Sequence, residues 1–322
     1  MSDPTVALNV LERVQTLLRE GPYTTSYKFA LLRVLCDLSL VRDASKHRIE
    51  LSTIAERFIQ IYWRQTQPFA HGDGGAILRL NQSTSPTKHA KILTRIHEWS
   101  VPCHGRLSEA QDPTRMRDYS KLIVTELKRY VLCALQGERK FLYSYTQGDD
   151  HITMLPGASD ALRQFYPLLC VLIESRWTRF VEDCNKSLRG HALLVEHLFG
   201  AERSNLRAVV GEMLDLQEGR CFYSSEPLKS KNRKNIHVDH FIPWSLARHE
   251  AIGNLVLASA AANSKKGDKL AKPPARKRWE ERNTTHAADL ARIALTCGLR
   301  YEPAATLQVA HWAYSHYSAA AS

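Results

Sequence analysis

The chain has no C-x-x-C pair, no apolar run long enough to span a bilayer, no internal repeat and no low-complexity tract. Each absence narrows the field. The cysteines at 36, 103, 133, 170, 184, 221 and 297 are scattered, most of them in apolar helical contexts such as RVLCDL and PLLCVL. There a thiol acts as a small buried hydrophobe, and no disulfide framework follows from the spacing. The longest apolar stretches, around Phe165–Ile173, are too short for a membrane span. The opening MSDPTVALNV carries no signal-peptide pattern. The expectation is a protein of the reducing cytoplasm without a membrane partner. HGDGG at 71–75 lacks the lysine and the strand–loop–helix setting of a phosphate-binding loop and reads as a turn. Cys103 and His104 have no evident third partner, which argues against a thiol nucleophile.

What the chain does have is positive charge in one place. Over 322 residues the net charge is +11, and 44% hydrophobic residues suffice for a proper core. Between Gly219 and Arg282 there are fourteen Lys and Arg against six Asp and Glu, so one-fifth of the chain holds most of the excess. A focused basic segment attracts polyanions, and nucleic acid is the commonest of these in a cell.

The reading is mainly α. Apolar residues at three- and four-residue steps predict helices over Val6–Leu18 and Tyr27–Leu40, the second preceded by capping hydroxyls at Thr24, Thr25 and Ser26. Further helices are expected at Leu51–Trp63, Lys88–Trp99, Arg115–Leu135, Ala158–Val181 and Asn205–Leu216. The alternation of FLYSYT and HITML around a GDD turn predicts a β-hairpin within 141–155. The charge shift near Gly200–Arg220 sets a boundary. It separates a large helical region, 1–200, from a small domain, 201–274, and C-terminal helices at 275–322 that pack on the body. Those last helices are expected at Ala275–Cys297 and Pro303–Ala319. The aromatic cluster His311, Trp312, Tyr314, His316 and Tyr317 reads as the packing face of the final helix rather than a base-stacking platform.

The chemistry lies between Cys221 and Leu270. Ile236–Val238 reads as a short strand leading to Asp239 and His240, and LVLASAAA leads into a helix carrying Asn263, Lys265 and Lys266. Adjacent residues on a regular strand face opposite ways, so Asp239 and His240 are expected at a strand end. A histidine takes a proton from water near neutral pH. An aspartate and a side-chain amide are the oxygen ligands that Mg²⁺ prefers, and lysines contact phosphate. Taken alone, His240 is better read as a structural histidine; the ordered Asn254 and Asn263 reverse that reading. His237, two residues before Asp239, shares its face; it reads first as a simple exposed strand residue and second as a group that supports the ligands or touches DNA. His249 reads as an ordinary loop residue.

Together, DHFIPWS, GNLVLA and ANSKKGD resemble the signature of the HNH (ββα-metal) endonucleases, with the His-to-Asn-to-Asn spacing found in RNA-guided CRISPR effector nucleases. The resemblance covers about 50 of 322 residues. It implies a ββα-metal domain in which His240 is the general base and Asp239 and Asn263 hold Mg²⁺, with Mn²⁺ able to substitute. Asn254 would pin the loop that carries the histidine. It implies duplex DNA bound along the minor groove and cut to leave a 5′-phosphate. The charge pattern itself makes Lys265, Lys266 and Lys269 candidate phosphate contacts; KSKNRK at 229–234, with Lys231, Arg233 and Lys234, reads first as a solvated hairpin tip and second as a basic tip that tracks phosphate. By analogy, such domains fused to large helical regions belong to bacterial anti-phage defence, restriction or mobile elements, where a partner protein is expected. Many members close the fold with zinc on two C-x-x-C pairs. Here the corresponding positions are Cys221, Ser224, Ser259 and Ala262, so no structural zinc is expected. The alternative of another class is a catalytically silent nucleic-acid-binding or scaffolding protein with the same fold. A toxin nuclease that also cuts RNA is a third.

Overall fold

The computed structural model describes residues 4–42, 47–71, 75–77, 79–87, 89–105, 107–110, 112–137, 140–200, 203–228 and 235–317. The basic tip with Lys231, Arg233 and Lys234 lies outside the described residues, as do residues 72–74 of the HGDGG turn. The chain divides into two compact units, Met1–Gly200 and Ala201–Ser322. Among the described residues, no helix is long and apolar enough to cross a membrane.

The first unit is helical. α1 (Pro4–Glu20) buries Ala7, Val10, Val14 and Leu18, a single stripe at helical spacing. α2 (Tyr27–Val41) is buried along most of its length. It runs beside α3 (Leu51–Gln65), α7 (Ala158–Gln164) and α8 (Tyr166–Cys184). Between them lie α4 (Lys91–Ser100), α5 (Pro113–Glu126) and α6 (Leu132–Gln136), and α9 (Leu194–Phe199) closes the unit. The core is aromatic: Phe29, Tyr62 and Trp177 are fully buried and in ring contact. Through it runs a buried polar group. Arg33 donates to Asp37 at 2.9 Å and to Glu174 at 2.7 Å, and Tyr166 donates to Asp37 at 2.6 Å.

Three short strands form one small sheet, in the order β1 (Arg48–Glu50), β5 (His151–Met154), β4 (Tyr143–Ser144), all antiparallel. β2 (Phe69–His71) and β3 (Gly75–Ile77) form a separate pair. The long helices expected from periodicity are interrupted. The segment Ala158–Val181 breaks at Phe165 because Pro167 lacks an N–H; it sits in the first turn of α8, where no donor is needed. The segment Arg115–Leu135 passes through a π-helical turn, Leu127–Val131, that keeps Leu127 and Val131 buried.

The second unit surrounds a two-stranded sheet. β6 (Ile236–His240) pairs antiparallel with β7 (Leu255–Ser259), placing Asp239 opposite Val256 and His240 opposite Leu255. Helix α10 (Arg203–Leu216) contributes Val209 and Met213 to the core around Leu255 and Leu257. α11 (Ala260–Lys266) follows β7 directly. The residues after 274 are not a separate layer in this unit. α13 (Ala287–Cys297) puts Leu290, Ile293, Ala294 and Cys297 into the same core as β7. The expected helix Ala275–Cys297 divides at His286, after Asn283-Thr284-Thr285, all weak helix formers, giving α12 (Pro273–Thr285) and α13. α14 (Pro303–Tyr317) packs Trp312 and Tyr314 inward, with the Tyr314 hydroxyl on the Ala271 carbonyl at 2.8 Å.

Arg282 of α12 is the main polar tie in this core. Its buried guanidinium donates to the carbonyls of Leu255 at 2.7 Å and Gly253 at 2.8 Å. Arg282→Ala strands the Leu255 carbonyl and opens a void, so urea unfolding should show a loss of about 2–4 kcal/mol. In the first unit, His197 has a buried Nε2 without a partner among the described residues and packs against the Phe69 ring. Burial, then the charge of Arg64, lowers its pKa to about 4. The unfolded chain binds that proton near pH 6.5, so between about 6.5 and 4 the unfolded state holds more protons and stability falls with added acid. Thermal unfolding of His197→Gln across that window should show a shallower decline than the wild type.

Candidate active site

Strand periodicity sorts the residues around the end of β6. Ile236 and Val238 point into the core, while His237 and Asp239 alternate toward α11. His237 Nδ1 lies 3.1 Å from the Asn263 amide, and Asp239 Oδ2 lies 3.0 Å from Lys266 Nζ. Asp239 and His240 are the last two residues of β6, still in register with β7. α11 starts where β7 stops because Ser259 caps it, its hydroxyl accepting from Ala262 N at 3.2 Å. It ends at Gly267, whose φ of 52° lies in the left-handed region that glycine adopts without strain.

His240 is held from below by its neighbours. Its ring lies 5.1 Å from Trp244, whose own ring carries the Arg248 guanidinium at 5.7 Å. Nε2 is buried and has no hydrogen-bond partner among the described residues. Burial, followed by the positive charges of Lys266 and His249, lowers the His240 pKa to about 4. The imidazole is therefore neutral at physiological pH, the state in which a ring nitrogen can accept a proton.

Asn254 has no exposed surface and binds backbone on both sides. Its Oδ1 accepts from Ile242 N at 2.8 Å, and Nδ2 donates to the carbonyls of Ile242 and His249, each at 3.1 Å. Its own carbonyl accepts from Phe241 N at 2.7 Å. The loop leaving His240 is tied down at 241, 242 and 249. His249, an ordinary loop residue by sequence, is buried, with Nε2 2.9 Å from Thr306 Oγ1.

Asp239, His240 and Asn263 share no direct hydrogen bond; Lys266 links Asp239 to the His240 backbone, and His237 meets Asn263 separately. Lys266 Nζ bridges Asp239 and the His240 carbonyl at 2.9 Å, so this lysine is turned into the site rather than out toward phosphate. Lys265 and Lys269 are exposed. Tyr223 was not among the residues expected from sequence. Its hydroxyl donates to Asp239 Oδ2 at 2.6 Å, and burial together with the Asp239 charge raises its pKa far above the usual phenol range. Only its place two residues after Cys221 hinted at a role.

Hydrogen bonds reach Cys221 from two of the positions where thiols would be expected, Ser224 and Ser259. Ser259 N donates to Sγ at 3.3 Å. Burial pushes the thiol up, but hydrogen bonds from Ser224 and from the backbone of Ser224, Ser259 and Tyr223 outweigh it and leave the pKa lowered. Among the described residues, no group of three or more His, Cys, Asp or Glu could hold a metal ion. A hard divalent ion needs no such cage, since Mg²⁺ takes one or two protein oxygens and completes its shell with water and phosphate. Asp239 offers a carboxylate and Asn263 an amide oxygen, the donor types such an ion takes, and Asp239 Oδ2 already faces one cation, the Lys266 ammonium.

Residues 221–272 match the family model described as HNH endonuclease. This segment is an HNH endonuclease domain. The chain is similar to the CRISPR-associated endonuclease Cas9 of Listeria innocua serovar 6a, 36% identical over 98 residues, which is 29% of this chain and 7% of that protein. It is similar to the Cas9 of Staphylococcus aureus, 44% identical over 59 residues, 17% of this chain and 6% of that protein. The chain thus matches only a small part of those relatives' length. No solved structure matches.

The HNH domain's histidine loop depends on a single carboxamide. Asn254→Asp keeps the acceptor but loses both donations, which should cost about 1–3 kcal/mol. Hydrogen exchange should quicken at 241–250 while β7 stays protected; equal exchange in variant and wild type would show that the loop is held otherwise.

Proposed function

We propose that the chain is a divalent-metal-dependent DNA endonuclease or nickase whose active centre is Asp239, His240, Asn254 and Asn263. The observation that carries this reading is the placement of Asp239 and His240 side by side at the end of β6, with the following loop tied down by Asn254, within a segment that matches the HNH endonuclease model. His240 accepts the proton of the attacking water. Asn254 keeps the loop after His240 in place through the backbone of Ile242 and His249. Asp239 and Asn263 would hold Mg²⁺ or Mn²⁺, which would supply charge neutralisation at the scissile phosphate and the departing oxygen. Lys265 and Lys269 contact the DNA backbone, and Lys231, Arg233 and Lys234 are further candidates on the basic tip. His237, against Asn263, orients the amide.

Duplex DNA in the minor groove is the proposed substrate and a 5′-phosphate the proposed product. A role in bacterial defence, with a partner protein, is supported by the relatives being CRISPR-associated; it extends to this chain by analogy. The cytoplasm is the proposed location.

Supercoiled plasmid incubated with Mg²⁺ or Mn²⁺ tests the reading. The wild type should yield nicked or linear product, EDTA should stop it, and His240→Ala should slow it by about 10²–10⁴-fold, the usual loss of a general base. DNA binding by gel shift should survive in the variant. A wild type that binds DNA yet cuts none under either metal would instead favour a silent, nucleic-acid-binding HNH domain.

A further inference from the structure

Lys266 is unlike a lysine kept for solvent or for DNA. Its side chain is 6% exposed and that of Asp239 is 13% exposed. The ammonium lies 3.0 Å from Asp239 Oδ2, donates to the His240 carbonyl at 2.9 Å, and stands 5.9 Å from the centre of the Tyr223 ring. Tyr223 donates its hydroxyl to the same Oδ2 at 2.6 Å. One carboxylate oxygen therefore already has a cation and an O–H donor, in the place where the metal ligand is expected. By contrast, the neighbouring Lys265 is exposed.

Resting on the reading of Asp239 as a metal ligand, we infer that Lys266 is a built-in counter-cation for that carboxylate. It is a positioning residue that holds Asp239 before metal arrives and gives it up as metal binds. A desolvated carboxylate left alone is costly, so the metal-free domain needs this partner. An ammonium and a divalent ion on one oxygen repel strongly at any dielectric found inside a protein. The two occupants compete, and metal affinity carries the cost of displacing the first. Lys266 can yield without a backbone shift because it is the last residue of α11 and its charge rides on a flexible four-carbon stem. Tyr223, being neutral, stays on Oδ2 in either state and keeps the carboxylate oriented.

The test measures Mn²⁺ binding to the full chain by calorimetry at fixed ionic strength. Lys266→Met should bind Mn²⁺ about tenfold more tightly than the wild type or better. Lys266→Arg, which keeps the charge, should stay near the wild type, and Lys265→Met, which removes an adjacent charge that is not on Asp239, should shift affinity by no more than about twofold. Without metal, Lys266→Met should melt several degrees lower than the wild type, and Mn²⁺ should raise its Tm by more. Lys266→Gln, which can still donate to the His240 carbonyl, carries the same test if the methionine variant does not fold. Affinity unchanged or weakened in the folded neutral variants overturns the inference and makes Lys266 a structural tie only. Mn²⁺ binding that Asp239→Asn does not remove, in either the wild-type or the Lys266→Met background, overturns the metal-ligand reading as well.

Discussion

The Asn254 carboxamide receives one backbone N–H and donates to two backbone carbonyls, all in a place closed to water. Such a group satisfies three polar atoms that the loop after β6 could not satisfy for itself, because a loop has no ladder to supply partners. His240, the last residue of β6, is where that loop begins. The C-terminal helices close on the same stretch: Trp279, Arg282 and Asn283 all donate to the carbonyl of Gly253, and Thr306 meets His249. The second unit is thus organised around one short irregular stretch, 249–255. The sheet and the helices fix that stretch, and the pairing of His240 with Leu255 sets the histidine beside it.

The electrostatics of the HNH domain work at two scales. Over the surface, the excess of lysine and arginine acts at a distance and draws in any polyanion. Within the centre, charge is matched group by group: a carboxylate carries one ammonium and one phenol, and a histidine is kept neutral by burial beside that same ammonium. Salt would weaken the first and leave the second largely untouched. The helical unit shows the second style again in Arg33, Asp37 and Glu174. There the group ties α2 to α8 through Glu174 and Tyr166.

Sequence periodicity made the helices over Tyr27–Val41 and Leu51–Gln65 plain, since one apolar residue every three or four positions has few other readings. The strand carrying Asp239 and His240 and the helix carrying Asn263 were legible for a different reason, the order of three short blocks. What stayed hidden was set by contacts far apart in the chain. Nothing in the local sequence says that Tyr223 meets Asp239, that His249 meets Thr306, or that α13 shares a core with β7. Lys266 was visible as a lysine near a nuclease motif, yet its direction was not, because a long side chain can turn either way from the last turn of a helix. Helix ends were missed where one residue decides, as at Pro167, or where several weak helix formers add up, as before His286.

The π-helical turn at Leu127–Val131 lies between two α-helical segments and keeps buried residues on both sides of it in place. Such a turn holds one residue more than an α-helical turn would. In geometric terms it accommodates one extra residue without changing which faces point inward. Loss of a single residue from this turn would restore an ordinary helix with the same inward face, whereas loss of two would rotate everything beyond it by about 100° and carry α6 out of register with the core.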